Sequence, residues 1–398
     1  MRRIAARIAA LVFLLGAPVA AQPSIPQDVP PPPRPELPVS ADPNSPIAYS
    51  TYGAVRMDTH PDAAYPGFYW ATKLDPTNAE VWYARAMAIN LAWIHYWYDQ
   101  IQGDPAFSSS PPDDLAERFS TLMMMALYRD PFVDHRFDLL IYPRGTRVAL
   151  SRSHDDYLHG VYAYAMHDFP DAVAAWGRFL KSHPERIDVH VQRAQAWYHA
   201  NEYDSAYAEL AFVVAKREAK PEKLDPSKPA TLVYDSKALM WYSMGTIRMR
   251  QYDWAGAREA LGSALSEDLS FYPAHVRMAR VDLALHDSAA AENEYALAAD
   301  LAKKDAVPHL DFAMYLLAMH RWDAACAQAS AAIPLAPEYA APYFTLGRCE
   351  EGRGRAREAV FAYREFIARA AKSDTLMADA VAKEKELSSA LARAGTPP

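Results

Sequence analysis

Small residues return every thirty-four positions in this chain, at places where two helices would have to touch, and that interval limits the fold more than any other feature. Ala279, Ala313 and Gly347 keep the step, and so do Ala291, Ala325 and Ala359. Upstream, Gly160 to Ala194 and Ala172 to Ala206 keep it again. A period of this length marks stacked supersecondary units that share one continuous core. The stretch Ala340 to Ala371 shows one unit in full. Its spacing predicts a first helix over 340–353, with Tyr343, Leu346 and Gly347 on one side, and a break at Glu351-Gly352-Arg353-Gly354-Arg355. A second helix starts near Ala356 and repeats Ala359, Tyr363 and Phe366 on its inner face. Gly347 and Ala359 let the backbones approach, and the aromatic rings close the ends of the contact. Such a hairpin buries only one face, so it needs neighbours.

The chain supplies them. Gly160, Ala172, Trp176, Phe179 and Pro184 form one unit, and Ala194, Trp197, Ala206, Leu210 and Val213 the next. Trp241, Gly245, Ala257, Leu261 and Ala264 follow a charged, proline-bearing insertion over 216–237. Then come Ala279, Ala291, Tyr295 and Ala298, and after them Phe312, Ala313, Ala325, Ala329, Ala332 and Pro337. The repeat array is therefore placed at 153–371. The second half is rich in alanine, leucine, glutamate and arginine and poor in glycine, which favours helix over sheet. The expected class is all-α, a solenoid of antiparallel helix hairpins. A polar-sided helix over 374–394 caps the open end, within a final segment 372–398.

Ahead of the array the pattern is looser. Residues 1–21 read as a secretory signal: Arg2, Arg3 and Arg7, then an apolar core from Ile8 to Leu15, then Val19-Ala20-Ala21 before Gln22. An uncleaved anchor is the rival, and no cysteine follows the core to carry a lipid. Removing those three arginines takes the formal charge from −8 to −11. An acidic chain argues against nucleic acid as the partner, because phosphate binding needs clustered Lys and Arg. No later run of about twenty apolar residues exists to span a membrane, so a soluble exported protein, periplasmic or extracellular, is expected. Residues 22–46 are proline-rich and read as a disordered tether, with a reach of roughly 3.1 Å per residue in polyproline II. Residues 47–152 read as divergent hairpins: helices over 47–57 and 66–74, a long aromatic helix from Ala79, a Ser/Pro loop from Gly103 to Pro112, and a methionine-rich helix over 113–128. Residues 132–152 are less regular and read as a connector or a short extended excursion.

The unit from Ala340 resembles the tetratricopeptide repeat: Tyr343, Leu346 and Gly347 on the first helix, Ala359 and Tyr363 on the second, with Pro337 closing the unit before. Glu350, Phe366 and Ala371 depart from that pattern. The resemblance covers most of 79–371. It implies a right-handed superhelix whose first helices line a concave groove that takes a peptide or partner protein. The groove positions it implies are Tyr83, Met87 and Asn90; Tyr157, Val161 and Tyr164; Gln195, Tyr198 and His199; Tyr242, Thr246, Met249 and Arg250; Arg280; Phe344, Arg348 and Glu351. Tyrosine at such places offers contact area at small entropic cost. The alternative is that these rings pack between hairpins.

Reactive constellations are few. His154 and His159 are five apart and diverge by roughly 140° on a helix, so they do not share a metal from one face. Asp155 and Asp156 fit a helix N-terminus instead. No His-Glu-Xaa-Xaa-His, Gly-Xaa-Ser-Xaa-Gly or phosphate loop is present. The Met123–Met125 run reads as core, and the Trp93–Tyr98 run as packing beneath the Gly103–Pro112 loop or as a glycan or peptide site. Cys326 and Cys349, the two cysteines of the chain, are either a disulfide or two small buried side chains. The expectation is a non-catalytic scaffold with no cofactor and no metal. The alternative is a glycan- or cell-wall-binding protein of the envelope; oligomeric state is left open.

Overall fold

The computed structural model describes residues 30–103, 114–142, 144–150, 152–219 and 236–395 of the 398-residue chain. The expected signal over 1–21, the start of the tether over 22–29, most of the Gly103–Pro112 loop and most of the 216–237 insertion lie outside them. Every regular element among the described residues is helical. In order they are α1 (Pro46–Arg56), α2 (Pro61–Leu74), α3 (Ala79–Gly103), α4 (Leu115–Arg129), a 3-10 turn (Asp138–Ile141), α5 (Arg144–Leu150), α6 (Asp156–Ala165), α7 (Phe169–Ser182), α8 (Ile187–His199), α9 (Tyr203–Ala219), α10 (Lys237–Arg250), α11 (Trp254–Glu267), α12 (Tyr272–Ala284), α13 (Ser288–Leu301), α14 (Ala306–Ala318), α15 (Trp322–Leu335), α16 (Ala341–Gly352), α17 (Ala356–Arg369) and α18 (Met377–Arg393). The chain divides into two compact units. The first holds residues 58–62 and 82–274, the second residues 27–57, 63–81 and 275–398.

Helices pair in sequence order. In the first unit α6 packs on α7, α8 on α9 and α10 on α11, and each second helix also meets the next first helix, α7 on α8 and α9 on α10. In the second unit α14 packs on α15, α16 on α17, and α18 covers α17. The repeat shows most sharply in the turns. His167, Asn201, Tyr252, His286, His320 and Gly354 all have left-handed backbone, with φ between 57° and 71°. Each follows the one before by thirty-four residues, except across the insertion. At each turn the next amide donates five residues back, from Asp168 to Ala163, Glu202 to Trp197, Asp253 to Arg248, Asp287 to Asp282, Arg321 to Leu316 and Arg355 to Glu350. That bond satisfies a carbonyl the helix end would leave open and locks both helices into one hairpin. Asp168, Asp253 and Asp287 then cap the following helix by accepting from Asp171, Gly256 and Ala290 amides.

Inside the hairpins the expected close approach is present: a β-carbon on Gly347 would meet the Tyr363 ring at 2.7 Å, and one on Gly245 the Leu261 side chain at 2.8 Å. Three units use a different contact four residues before the small residue of the first helix, where Trp241 and Tyr343 stand in two others and Asp156 in the unit of Gly160. His190 meets Glu209 at 2.7 Å, His275 meets Glu294 at 2.6 Å and His309 meets Gln328 at 2.8 Å, each nineteen residues apart. In the units that carry Trp241 or Tyr343 instead, the facing residue is Ala260 or Ala362, both buried. Ring and partner thus vary together from unit to unit. Both ring types reach the same carbonyl: His190 Nε2 meets Pro184 O at 3.3 Å, and Tyr343 donates to Pro337 O at 3.3 Å.

Cys326 and Cys349 form a disulfide that ties α15 to α16. Residues 30–45, expected as part of a disordered tether, instead run extended over the second unit. Trp70 donates to Pro32 O at 3.1 Å, Arg34 lies over the Tyr49 and Trp70 rings, Asn44 donates to Ala368 O at 2.9 Å, and Asp42 accepts the Lys372 amide at 2.6 Å. Proline fixes the backbone there without any ladder of its own, so ring stacking and a few polar contacts suffice to hold it.

Candidate interaction surface

The first helices of the hairpins carry the positions at which a partner is expected, and the two units treat those positions differently. In the first unit the surface is covered by the chain itself. After α4 ends at Asp130, residues 130–142 run irregularly over α3, α6, α8 and α10. Phe132 lies flat on Tyr198, with ring centroids 3.8 Å apart and planes 8° off parallel, and joins the core formed by Val191, Ala194, Met240, Met244 and Ile247. Phe137 stacks on Tyr83 at 6.0 Å, and His135 lies beside the same ring. The Tyr83 hydroxyl donates to Asp138 at 2.7 Å and accepts the Phe137 amide at 3.0 Å. Burial first, and then the Asp138 charge, push that hydroxyl well above the ordinary tyrosine range.

The aromatic groove read from the sequence is therefore corrected for this unit. Tyr83, Met87, Asn90, Tyr164, Gln195, Tyr198, Tyr242 and Thr246 are buried, and Tyr157, Val161, His199 and Met249 are half-buried. Tyr242 donates to Tyr128 O at 2.6 Å, and Thr246 to Tyr242 O at 2.9 Å. Arg250 is exposed, yet its guanidinium donates to the Tyr198 hydroxyl at 2.9 Å. His199 stacks on Phe169 at 5.0 Å, and burial lowers its affinity for a proton despite Asp134 and Asp130 nearby. The Tyr83 and Tyr198 rings hold the 130–142 segment, while Tyr157, Tyr164 and Tyr242 pack on Phe179, Phe169 and Phe271.

In the second unit the corresponding positions are mixed. Phe344 is buried against Tyr363 and Phe366, so it too is core. Glu351 is half-buried, held by Lys383 at 2.7 Å and by the Tyr363 hydroxyl at 2.9 Å. Arg280 and Arg348 stay exposed. Arg280 pairs with Asp311 at 3.0 Å, and Arg348 stands 3.8 Å from Asp379 on α18. Met314, which the sequence reading did not single out, occupies the same place on α14 and is 54% exposed. Its signal was available, because it lies thirty-four residues from both arginines.

The remaining sequence features resolve structurally. Asp155 caps α6 through the Tyr157 and Leu158 amides, Asp156 pairs with Arg178 at 2.7 Å, and His159 meets Asp171 at 2.7 Å. Met123, Met124 and Met125 are buried in α4. Trp93, Trp97 and Tyr98 are half-buried, while Tyr96 is 50% exposed. Among the described residues no group of three or more His, Cys, Asp or Glu is placed to hold a metal ion, and no helix is long and apolar enough to cross a membrane.

No protein-family model matches the sequence, and no curated protein matches it. Solved structures are similar at low identity. The C-terminal part of a TPR repeat-containing protein from Cytophaga hutchinsonii is 12% identical, with 60% of this chain and 88% of that one covered and a TM-score of 0.47. YrrB, described as a TPR protein with an unusual peptide-binding site, is 17% identical, with 54% and 99% covered and a TM-score of 0.39. The Cut9–Hcn1 assembly of APC/C is 14% identical, with 85% and 64% covered and a TM-score of 0.40.

Proposed function

We propose that this chain, whose helix hairpins are repeats of the tetratricopeptide type, is a non-catalytic scaffold that binds a polypeptide partner on the first helices of its second unit. The observation that carries the reading is the register of Arg280, Met314 and Arg348. They stand thirty-four residues apart on α12, α14 and α16; the Arg280 and Arg348 side chains are 53% and 45% exposed, and Met314 as a whole residue is 54% exposed. One outward position per hairpin gives an extended ligand one contact per unit. A thioether between two guanidinium groups suits a segment that places an apolar residue between acidic ones, and Arg can grip a carboxylate through two donors at once. The sequence pattern of residues 1–21 supports export to the periplasm or the cell exterior. Glycan binding at the Trp93–Tyr98 run has less support, since most of that run is half-buried.

The test uses residues 22–398 as bait against an extract of the producing cell's envelope. A polypeptide retained by the wild-type chain and lost by the Arg280→Glu, Met314→Ser, Arg348→Glu triple variant at unchanged melting temperature supports the scaffold. Equal retention by both proteins removes this surface from consideration. Saturable retention on polysaccharide, with no polypeptide recovered, favours the glycan reading.

A further inference from the structure

We infer that residues 130–142 are a built-in, displaceable occupant of the first-helix face of the first unit, and that this face accepts an extended polypeptide segment bearing two aromatic side chains about five residues apart with a carboxylate between them. The inference rests on the scaffold reading above and extends it to a second surface.

The segment has the form of a bound peptide more than of a structural element. From Asp130 to Phe137 it is turn and extended chain, and outside the 3-10 turn its backbone bonds to itself among the described residues are short-range: Val133 to Asp130, Asp138 to His135, Leu140 to Phe137 and Tyr142 to Leu139. It is held by what the helices offer. Phe132 fills the place above Tyr198, Phe137 the place above Tyr83, and Asp134 between them reaches His167 at 3.0 Å. Side chains at these helix positions are where a foreign segment would make its contacts, so internal and external occupants compete for one surface.

The polar fit beneath the segment is incomplete. Asp134 Oδ1 and His199 Nε2 are both buried without a hydrogen-bond partner, although the two residues are close enough for the Asp134 charge to act on the imidazole. A buried polar atom left unmatched weakens the internal contact relative to an occupant that satisfies it. The far end is secured by a separate clamp. Arg147 donates to Tyr142 O at 2.6 Å, to Leu140 O at 3.0 Å and to Asp58 at 2.6 Å. Cutting that clamp loosens the segment and leaves every ring of the face in place.

A tethered occupant competes at an effective concentration on the order of millimolar, so the wild-type chain should bind the same sequence supplied in trans only weakly. The probe is a fluorescent synthetic peptide of residues 130–142, titrated into the full chain, into Arg147→Ala, and into Phe132→Ser/Phe137→Ser. Binding at least tenfold tighter to Arg147→Ala than to wild type, and tighter still to the double variant, is the expected result. Absence of binding to both folded variants overturns the inference. Should the double variant fail to fold, Arg147→Ala decides together with hydrogen exchange on the wild-type chain. The Val133, Asp138, Leu140 and Tyr142 amides should exchange at least tenfold faster than the interior amides of α8 and α10, and faster again in Arg147→Ala with α8 and α10 unchanged. Exchange of those four amides only in step with α8 and α10 means the segment is permanent core, which ends the proposal. Peptide binding that fails while partner retention still depends on Arg280, Met314 and Arg348 sinks this inference alone. Retention lost from that surface while the peptide binds sinks the scaffold site alone.

Discussion

Exchanging the His275–Glu294 contact for the ring-and-alanine arrangement of a neighbouring unit should cost far less than changing either residue by itself. The His275 and Glu294 side chains are 6% and 22% exposed, and their polar atoms meet at 2.6 Å. Glu294→Ala leaves a buried imidazole nitrogen without its acceptor, which costs about 1–3 kcal/mol. His275→Tyr forces a larger ring against a retained carboxylate and strands that carboxylate, at about 1–3 kcal/mol from overpacking. The double variant rebuilds the pairing of Tyr343 with Ala362, in which the phenol reaches a carbonyl six residues upstream. It should therefore lie within about 1 kcal/mol of wild type, an interaction energy of at least about 1 kcal/mol between the two sites. Urea titration followed by tryptophan fluorescence and circular dichroism measures all four proteins. Coincidence of the two probes checks that one transition is being read. Costs that simply add in the double variant would refute the claim that ring and partner are chosen together.

His199 binds a proton less readily in the fold than in the unfolded chain, whose ordinary value is 6.5. Stability should thus be full above about pH 7 and fall as pH drops through 6.5, by about 1.4 kcal/mol per pH unit until the folded histidine itself titrates. His199→Gln should flatten that slope in a pH series of melting curves, and an unchanged slope would remove His199 as its source. At the turns, Gly354→Ala should destabilise by about 1 kcal/mol and His320→Gly should be neutral or stabilising by up to about 1 kcal/mol, because both positions have φ near +60° to +70°; opposite signs in thermal melts would contradict the turn assignment. Opening the disulfide, which closes a loop with a sequence separation of 23, should cost about 3 kcal/mol on the chain-entropy estimate. Reductant should lower the melting point of wild type and leave Cys326→Ser/Cys349→Ser unmoved.

Much of the hairpin register is legible in the sequence, because crowding at a helix crossing admits only small residues and so writes its period into the chain. Gly160, Ala194, Gly245, Ala279, Ala313 and Gly347 were enough to place each first helix. The turns were less legible. Gly354 and, more weakly, Asn201 advertise a left-handed residue, whereas His167, Tyr252, His286 and His320 take the same conformation. The burial of the first-helix positions was not legible, for a physical reason. Position within a unit says which way Tyr83, Tyr198 and Tyr242 point and nothing about what lies on them. The covering segment 130–142 has no period to detect, and its anchors, Phe132 and Phe137, sit among aspartates that read as loop. Proline content likewise concealed the contacts of residues 30–45, since composition reports the backbone's stiffness and is silent about Arg34 between two rings.

Because Asp42 and Asn44 are bonded to residues 368–372, the beginning and the end of the second unit are stitched side by side. Tension applied between residue 30 and residue 372 would load that seam in shear before it reached a single hairpin, so stretching should begin with one small extension at low force and only later peel the helices apart. A protease that nicked the chain between residues 34 and 42 would free the Pro32 and Arg34 contacts on Trp70 and Tyr49 and leave the Asp42 and Asn44 bonds in place, so the seam would outlast the loss of the strand ahead of it.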